Sequence, residues 1–122
     1  MDEKPGFGDA LKEQLGRDSE ITIRVAGRKS GRSISNPVWF VWEEGRLYLL
    51  PVKGSGTQWY KNVLEDPAMQ IGARGAEASV TAVAIRDPEK VSAVVANFRK
   101  KYGAEDVKKY YSNFDVAIVI AL

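Results

Sequence analysis

The sequence predicts an α+β fold, a single small barrel of about six antiparallel strands with helices at its periphery. Short stretches of apolar residues alternate with polar ones at period two, and turn signals separate them. The stretches follow one another along the chain with few long connections. So many strands within 122 residues favour closure, because a barrel removes the edges that a flat sheet leaves open. A chain of this length has room for one core, so one domain is expected over residues 1–122.

The elements follow in order. Phe7, Leu11 and Leu15 at fourfold spacing predict a short amphipathic helix ending near Gly16. Ile21, Ile23 and Val25 alternate with Thr22 and Arg24, which predicts a half-buried strand over Glu20–Gly27. Lys29-Ser30-Gly31-Arg32 forms the next turn, with Gly31 free to take a positive φ. Ser33–Glu43 reads as one long strand, whose Val38-Trp39-Phe40-Val41-Trp42 is bulky on both faces; one face meets a core and the other something else. Glu44-Gly45 closes a hairpin to a strand over Arg46–Val52. After Lys53-Gly54-Ser55-Gly56 the period changes. Trp59, Tyr60, Val63 and Leu64 fall at helical spacing, with Thr57 as candidate N-cap and Asp66-Pro67 as the stop. Met69–Ala73 and Ala76–Ile85 form a second hairpin across Arg74-Gly75. Asp87-Pro88 opens a helix with the stripe Val91, Val94, Val95 and Phe98, and Arg99-Lys100-Lys101 sit near its negative end. Glu105–Tyr111 is a short helix, and Phe114–Leu122 a nearly continuous apolar strand fit for a barrel wall.

Composition narrows the chemistry. The chain has no cysteine and no histidine, which removes disulfides, thiolate catalysis, zinc–sulfur sites and the commonest general base and metal ligand. No metal site is expected. Chemistry is then borrowed from a cofactor that carries the hard step. No apolar stretch approaches the roughly 20 residues of a membrane span, and the start lacks the order of a signal peptide, so a cytoplasmic protein is expected. The net charge is only +2, but between Ile21 and Val63 the basic residues Arg24, Arg28, Lys29, Arg32, Arg46, Lys53 and Lys61 face only Glu43 and Glu44. Such a segment is either a solvated strand edge or an anion site.

Three constellations could carry function. Gly27-Arg28-Lys29-Ser30-Gly31-Arg32 gathers three cations, a hydroxyl and glycine-permitted N–H groups, the donors a phosphate needs. It lacks the order and following helix of a P-loop, and basic hairpin turns are also common without a ligand. Lys53-Gly54 precede a helix start, a recurrent place for anions, and Asn62 lies one turn from Trp59, so both can face one groove. The aromatics Trp39, Phe40, Trp42, Tyr48, Tyr60, Tyr102, Tyr110 and Tyr111 are core residues or offer faces to a flat ring, and the tyrosines are the neutral proton donors available.

Taken in order, Gly-Arg-Lys-Ser-Gly after a strand, Pro37-Val38-Trp39-Phe40-Val41, Leu47-Tyr48-Leu49 with Lys53-Gly54, Trp59-Tyr60-Lys61-Asn62 and Asp66-Pro67 form a pattern spanning roughly residues 20–75. The pattern resembles the deazaflavin-dependent nitroreductase and quinone-reductase branch of the flavin-binding split β-barrel proteins, relatives of pyridoxamine phosphate oxidase. The resemblance implies a split barrel, often a homodimer, that binds coenzyme F420 or FMN in a groove and passes hydride to a small acceptor of quinone, nitro or enone type. It implies that Arg28, Lys29 and Ser30 contact the cofactor phosphate, with Arg32 in support. Lys53 and Gly54 line the groove, Trp59 and Asn62 complete it, and Val38 and Trp39 lie near the ring. Tyr110 and Tyr111 match family aromatics only loosely and are the proton-donor candidates; no catalytic residue is assigned. Ile34 stands where members often carry another arginine, which bears on phosphate affinity, and Val52 where several carry serine, which bears on substrate chemistry.

The function expected is therefore an F420-dependent reductase, with an FMN-dependent oxidoreductase as the alternative. From other classes, a small basic barrel can stack single-stranded nucleic acid on its rings, or a barrel can hold a cofactor without turnover. The cations cluster at two loops instead of forming a stripe, so no nucleic acid partner is expected.

Overall fold

The computed structural model describes residues 19–73 and 76–121. The helix expected over Phe7–Leu15 and the turn at Arg74-Gly75 lie outside the described residues. Among the described residues, eight strands form two antiparallel four-stranded sheets. They are β1 (Ile21–Ala26), β2 (Ser33–Val38), β3 (Phe40–Glu43), β4 (Arg46–Leu49), β5 (Ala68–Ala73), β6 (Ala76–Thr81), β7 (Val83–Ile85) and β8 (Ala117–Ala121). The first sheet has the order β2-β1-β5-β6 and the second β3-β4-β8-β7. The helices are α1 (Gln58–Glu65), α2 (Pro88–Tyr102) and α3 (Ala104–Tyr110), with a 3-10 turn at Gly54–Gly56. No helix of the described residues is long and apolar enough to cross a membrane.

The count of about six strands becomes eight because two expected strands are broken. Ser33–Glu43 breaks at Trp39, and Ala76–Ile85 breaks at Ala82, whose N–H leaves the ladder to donate to the Pro67 carbonyl at 2.9 Å. Each broken strand pairs in the first sheet with one half and in the second with the other. The pairings therefore run β1–β2/β3–β4–β8–β7/β6–β5 and back to β1, and the two sheets share their corners. Pro37, which cannot donate, falls on β2 at the outer position of the first sheet, where no ladder partner is lost.

Alternation decides what each face buries. Ile21, Ile23 and Val25 of β1 meet Met69 and Ile71 of β5, Phe40 of β3, Leu47 and Leu49 of β4 and Ile118 and Ile120 of β8 in the barrel core, to which α1 adds Trp59, Tyr60 and Val63. The other face of the second sheet is also covered. Val41, Leu50 and Ala117 pack with Val91, Val94, Val95 and Phe98 of α2, and with Val107 and Tyr111, in a second core. The two-faced bulk of Trp39–Trp42 is explained by this: Phe40 looks into the barrel and Val41 under the helices. Asp87 caps α2 by accepting from Lys90 N at 3.1 Å, with Pro88 in the first turn.

Candidate functional site

Trp39 stands at the β2–β3 corner, half-buried. Its ring stacks on Tyr102 from the end of α2, with centroids 4.2 Å apart and planes 6° from parallel, and it meets Tyr110 edge-on at 5.5 Å. The hydroxyl of Tyr102 accepts from Phe40 N at 3.0 Å and lies 2.9 Å from the Phe40 carbonyl and 2.7 Å from that of Ser19. Burial pushes this phenol up to about 12, against the opposing pull of the Phe40 backbone hydrogen bond. The stack thus latches the second helix to the corner. Burial also raises the pKa of Tyr111.

Beside this corner lies an open cleft of about 410 Å³. Pro37, Val38 and Trp39 wall it from the corner, Leu50 and Val52 from the end of β4, Thr57 and Trp59 from α1, and Tyr110 and Tyr111 from the end of α3. Glu20 and Asn36 add the remaining polar groups. Five residues singled out in the sequence, Val38, Trp39, Trp59, Tyr110 and Tyr111, therefore meet in one largely aromatic recess. Trp59 also belongs to the barrel core and is 6% exposed, so only a small part of its ring faces the cleft.

The basic turn reaches this recess through α1. Gly31 takes φ 71°, as the turn requires, and Gly27 N donates to the Arg32 carbonyl at 2.8 Å to close the loop. Ser30 Oγ accepts from Arg32 N at 3.1 Å. Arg28 is committed inward: its backbone N–H and its Nη1 both donate to Asn62 Oδ1, at 3.1 and 2.7 Å, and its Nη2 donates to Gln58 Oε1 at 2.8 Å. Asn62 is 4% exposed, so the turn is pinned to the helix that carries Trp59. Lys29, Ser30 and Arg32 remain exposed and do not line the aromatic cleft. The turn and the cleft are neighbours on α1, not walls of a single pocket.

Lys53 and Gly54 are placed differently from each other. Lys53 is exposed, and its N–H donates to Thr57 Oγ1 at 2.7 Å. That bond corrects the expected cap, since Thr57 occupies the N-cap position of α1 but makes no side-chain cap bond. Gly54 is buried with φ 57°, and a Cβ there would collide with Asp115 and Asn113, so this glycine packs closely instead of lining the cleft. Ser55 donates to Asp115 through its N–H at 2.9 Å and its hydroxyl at 2.6 Å, which lowers the Asp115 pKa. The sequence named Tyr102 only as one of eight aromatics, without its place at the corner, and Gln58 and Asp115 were missed. Gln58 had a signal, since it precedes Asn62 by one helical turn; Tyr102 and Asp115 act through contacts distant in sequence.

Residues 12–117 match the model of a family described as an uncharacterized protein conserved in bacteria (DUF2255). No curated protein matches the sequence. Among solved structures, an F420-H2 dependent reductase (FDR-A) is 18% identical with a TM-score of 0.65, over 84% of this chain and 93% of that one. HutZ, the heme storage protein from Vibrio cholerae, is 15% identical with a TM-score of 0.66, over 95% and 89%. A NimC/NimA family protein from Clostridium acetobutylicum is 13% identical with a TM-score of 0.64, over 93% and 79%. At such identities the likeness is one of fold, that of split-barrel-like proteins.

Proposed function

The chain belongs to DUF2255, a family conserved in bacteria, and from that footing we propose that it binds a flavin-type cofactor, F420 ahead of FMN, and reduces a small organic acceptor. The observation that carries this reading is the aromatic recess of Val38, Trp39, Trp59, Tyr110 and Tyr111 beside a basic turn clamped to the same helix. A volume of about 410 Å³ lies in the range of small-molecule sites, and its apolar walls suit a flat ring. The fold likeness to an F420-H2 dependent reductase points the same way.

The reduced deazaflavin, when bound, supplies the hydride. The chain's own residues bind and orient. Lys29 and Arg32, with the Ser30 hydroxyl, offer charge-assisted donors to a phosphate, and Arg28 holds the turn that presents them. Lys53 follows Val52 at the cleft wall. Among the described residues, the side chains of Lys29, Arg32 and Lys53 have no carboxylate partner, which favours a long anionic tail over the short one of FMN. Trp39 and Trp59 exclude water from the ring. Tyr111 lines the recess as a neutral phenol and serves as a hydrogen-bond donor to the acceptor, with the exposed Tyr110 beside it.

The test is an absorbance and fluorescence titration of purified protein with F420 and with FMN, beside a Lys29→Ala/Arg32→Ala variant. Saturable F420 binding that the variant weakens by about tenfold or more is expected. FMN binding without F420 binding reverses the cofactor choice, and absence of both overturns the reading.

A further inference from the structure

A second cleft opens at the opposite end of β4. Helix α2 seals Val41, Leu50 and Ala117 but leaves part of the second sheet's outer face uncovered. There Tyr48, Val119 and Val83 form a row straight across three strands, through the registers Tyr48↔Val119 and Val83↔Val119, and Val83 is 55% exposed. Opposite the row α2 presents Lys90, Ala93 and Asn97, which share one helical face. Ala93 offers only a methyl group, so helix and sheet diverge around a recess of about 660 Å³.

Its rim carries three cations against two carboxylates. Arg46, Arg86 and Lys90 line the recess, and among the described residues their side chains make no hydrogen bond or ion pair. The two carboxylates accept from neutral donors and keep their charge, and Glu43 stands opposite Arg46 in the β3–β4 register. Asp87 caps Lys90 N at 3.1 Å, and Glu43 lies 3.5 Å from Asn97 Nδ2. An apolar floor beneath a rim in which three cations outnumber two carboxylates is complementary to an anion with a hydrophobic body, and the volume suits a small organic molecule.

We propose that this cleft is a second binding site, distinct from the aromatic recess, for a small organic acid: a carboxylate held at the Arg46, Arg86 and Lys90 rim, with its apolar body along Tyr48, Val119 and Val83. The site does not depend on the cofactor reading. Its test is a titration of isotope-labelled full-length protein with sodium decanoate, followed by amide chemical shifts, beside decanol as the uncharged control. Saturable shifts centred on Ala93, Val119 and Ala121 are expected. Arg46→Glu/Arg86→Glu weakens them by about tenfold or more. Ala93→Trp, at an exposed helix position, abolishes them while the amide pattern elsewhere stays unchanged. Equal affinity for decanol, shifts centred on Trp39 and Tyr111, or no saturable shift overturns the proposal.

Discussion

Asn62 is nearly sealed from water, and its side-chain oxygen accepts from two nitrogens of Arg28. Removing it leaves donors of Arg28 without a partner in a partly buried place, which costs about 1–3 kcal/mol. Asn62→Ala is therefore expected to lower the urea midpoint and to weaken phosphate binding at Lys29 and Arg32 together, since the turn loses its anchor. Tyr60, two residues earlier, presents the opposite case. Its hydroxyl is buried with no hydrogen-bond partner among the described residues, so Tyr60→Phe removes a cost and is expected to leave the midpoint unchanged or raise it. Matching losses in both variants would contradict the argument. In the sequence, Arg28 and Lys29 read as equivalent phosphate contacts with Arg32 in support, because charge and turn chemistry are local. All three are exposed, and only the contact with α1, thirty-four residues on, separates Arg28 as the anchor from Lys29 and Arg32.

At the level of elements, the strands were legible and their breaks were not. Alternation marks Ile21–Ala26 plainly, but the run across Trp39 is bulky on both faces and alternation continues across Ala82, so neither gives a sign that the chain turns to another sheet there. The cause at Trp39 is tertiary: the ring stacks on Tyr102, and the Tyr102 hydroxyl bonds to the backbone just past the corner. A pH dependence follows. The phenol of Tyr102 is raised from 10.0 to about 12 in the folded chain, so its contribution is fully present below pH 10 and is lost as pH rises toward 12. Urea midpoints measured from pH 9 upward are expected to fall in the parent chain. In Tyr102→Phe, which keeps the ring stack and loses the hydroxyl, the midpoint starts lower and falls less steeply. The slope that remains belongs in part to Tyr111, whose pKa is raised as well. An unchanged slope in Tyr102→Phe would remove the latch from the account.

For the whole molecule, what matters is that two cores share one sheet. The barrel core lies on the inner face of β3, β4 and β8, and the α2–α3 core lies on the outer face. The aromatic recess sits where the two meet, with Trp59 contributed by the first and Tyr111 by the second. Chain length led to the expectation of a single core, and patterning marked the strands and the apolar stripe of α2 without showing that the stripe builds a second core or where the two meet, which depends on where α2 crosses the sheet. Two conservative variants separate them. Ile71→Val trims the barrel core and Phe98→Leu the helical one; both residues are at most 1% exposed, and each change costs about 1 kcal/mol. Phe98 touches Tyr102 and Tyr111, with ring centroids at 5.9 and 6.1 Å, so its loss loosens the stack on Trp39 and the wall of the recess. Ile71 touches neither ring in this way. With melting temperatures lowered by similar amounts, Phe98→Leu is expected to diminish the near-ultraviolet circular dichroism of the Trp39–Tyr102 pair, while Ile71→Val leaves the parent spectrum in place. Identical spectra for the two would mean that the recess is held by the barrel alone, and that the helical layer only covers a sheet.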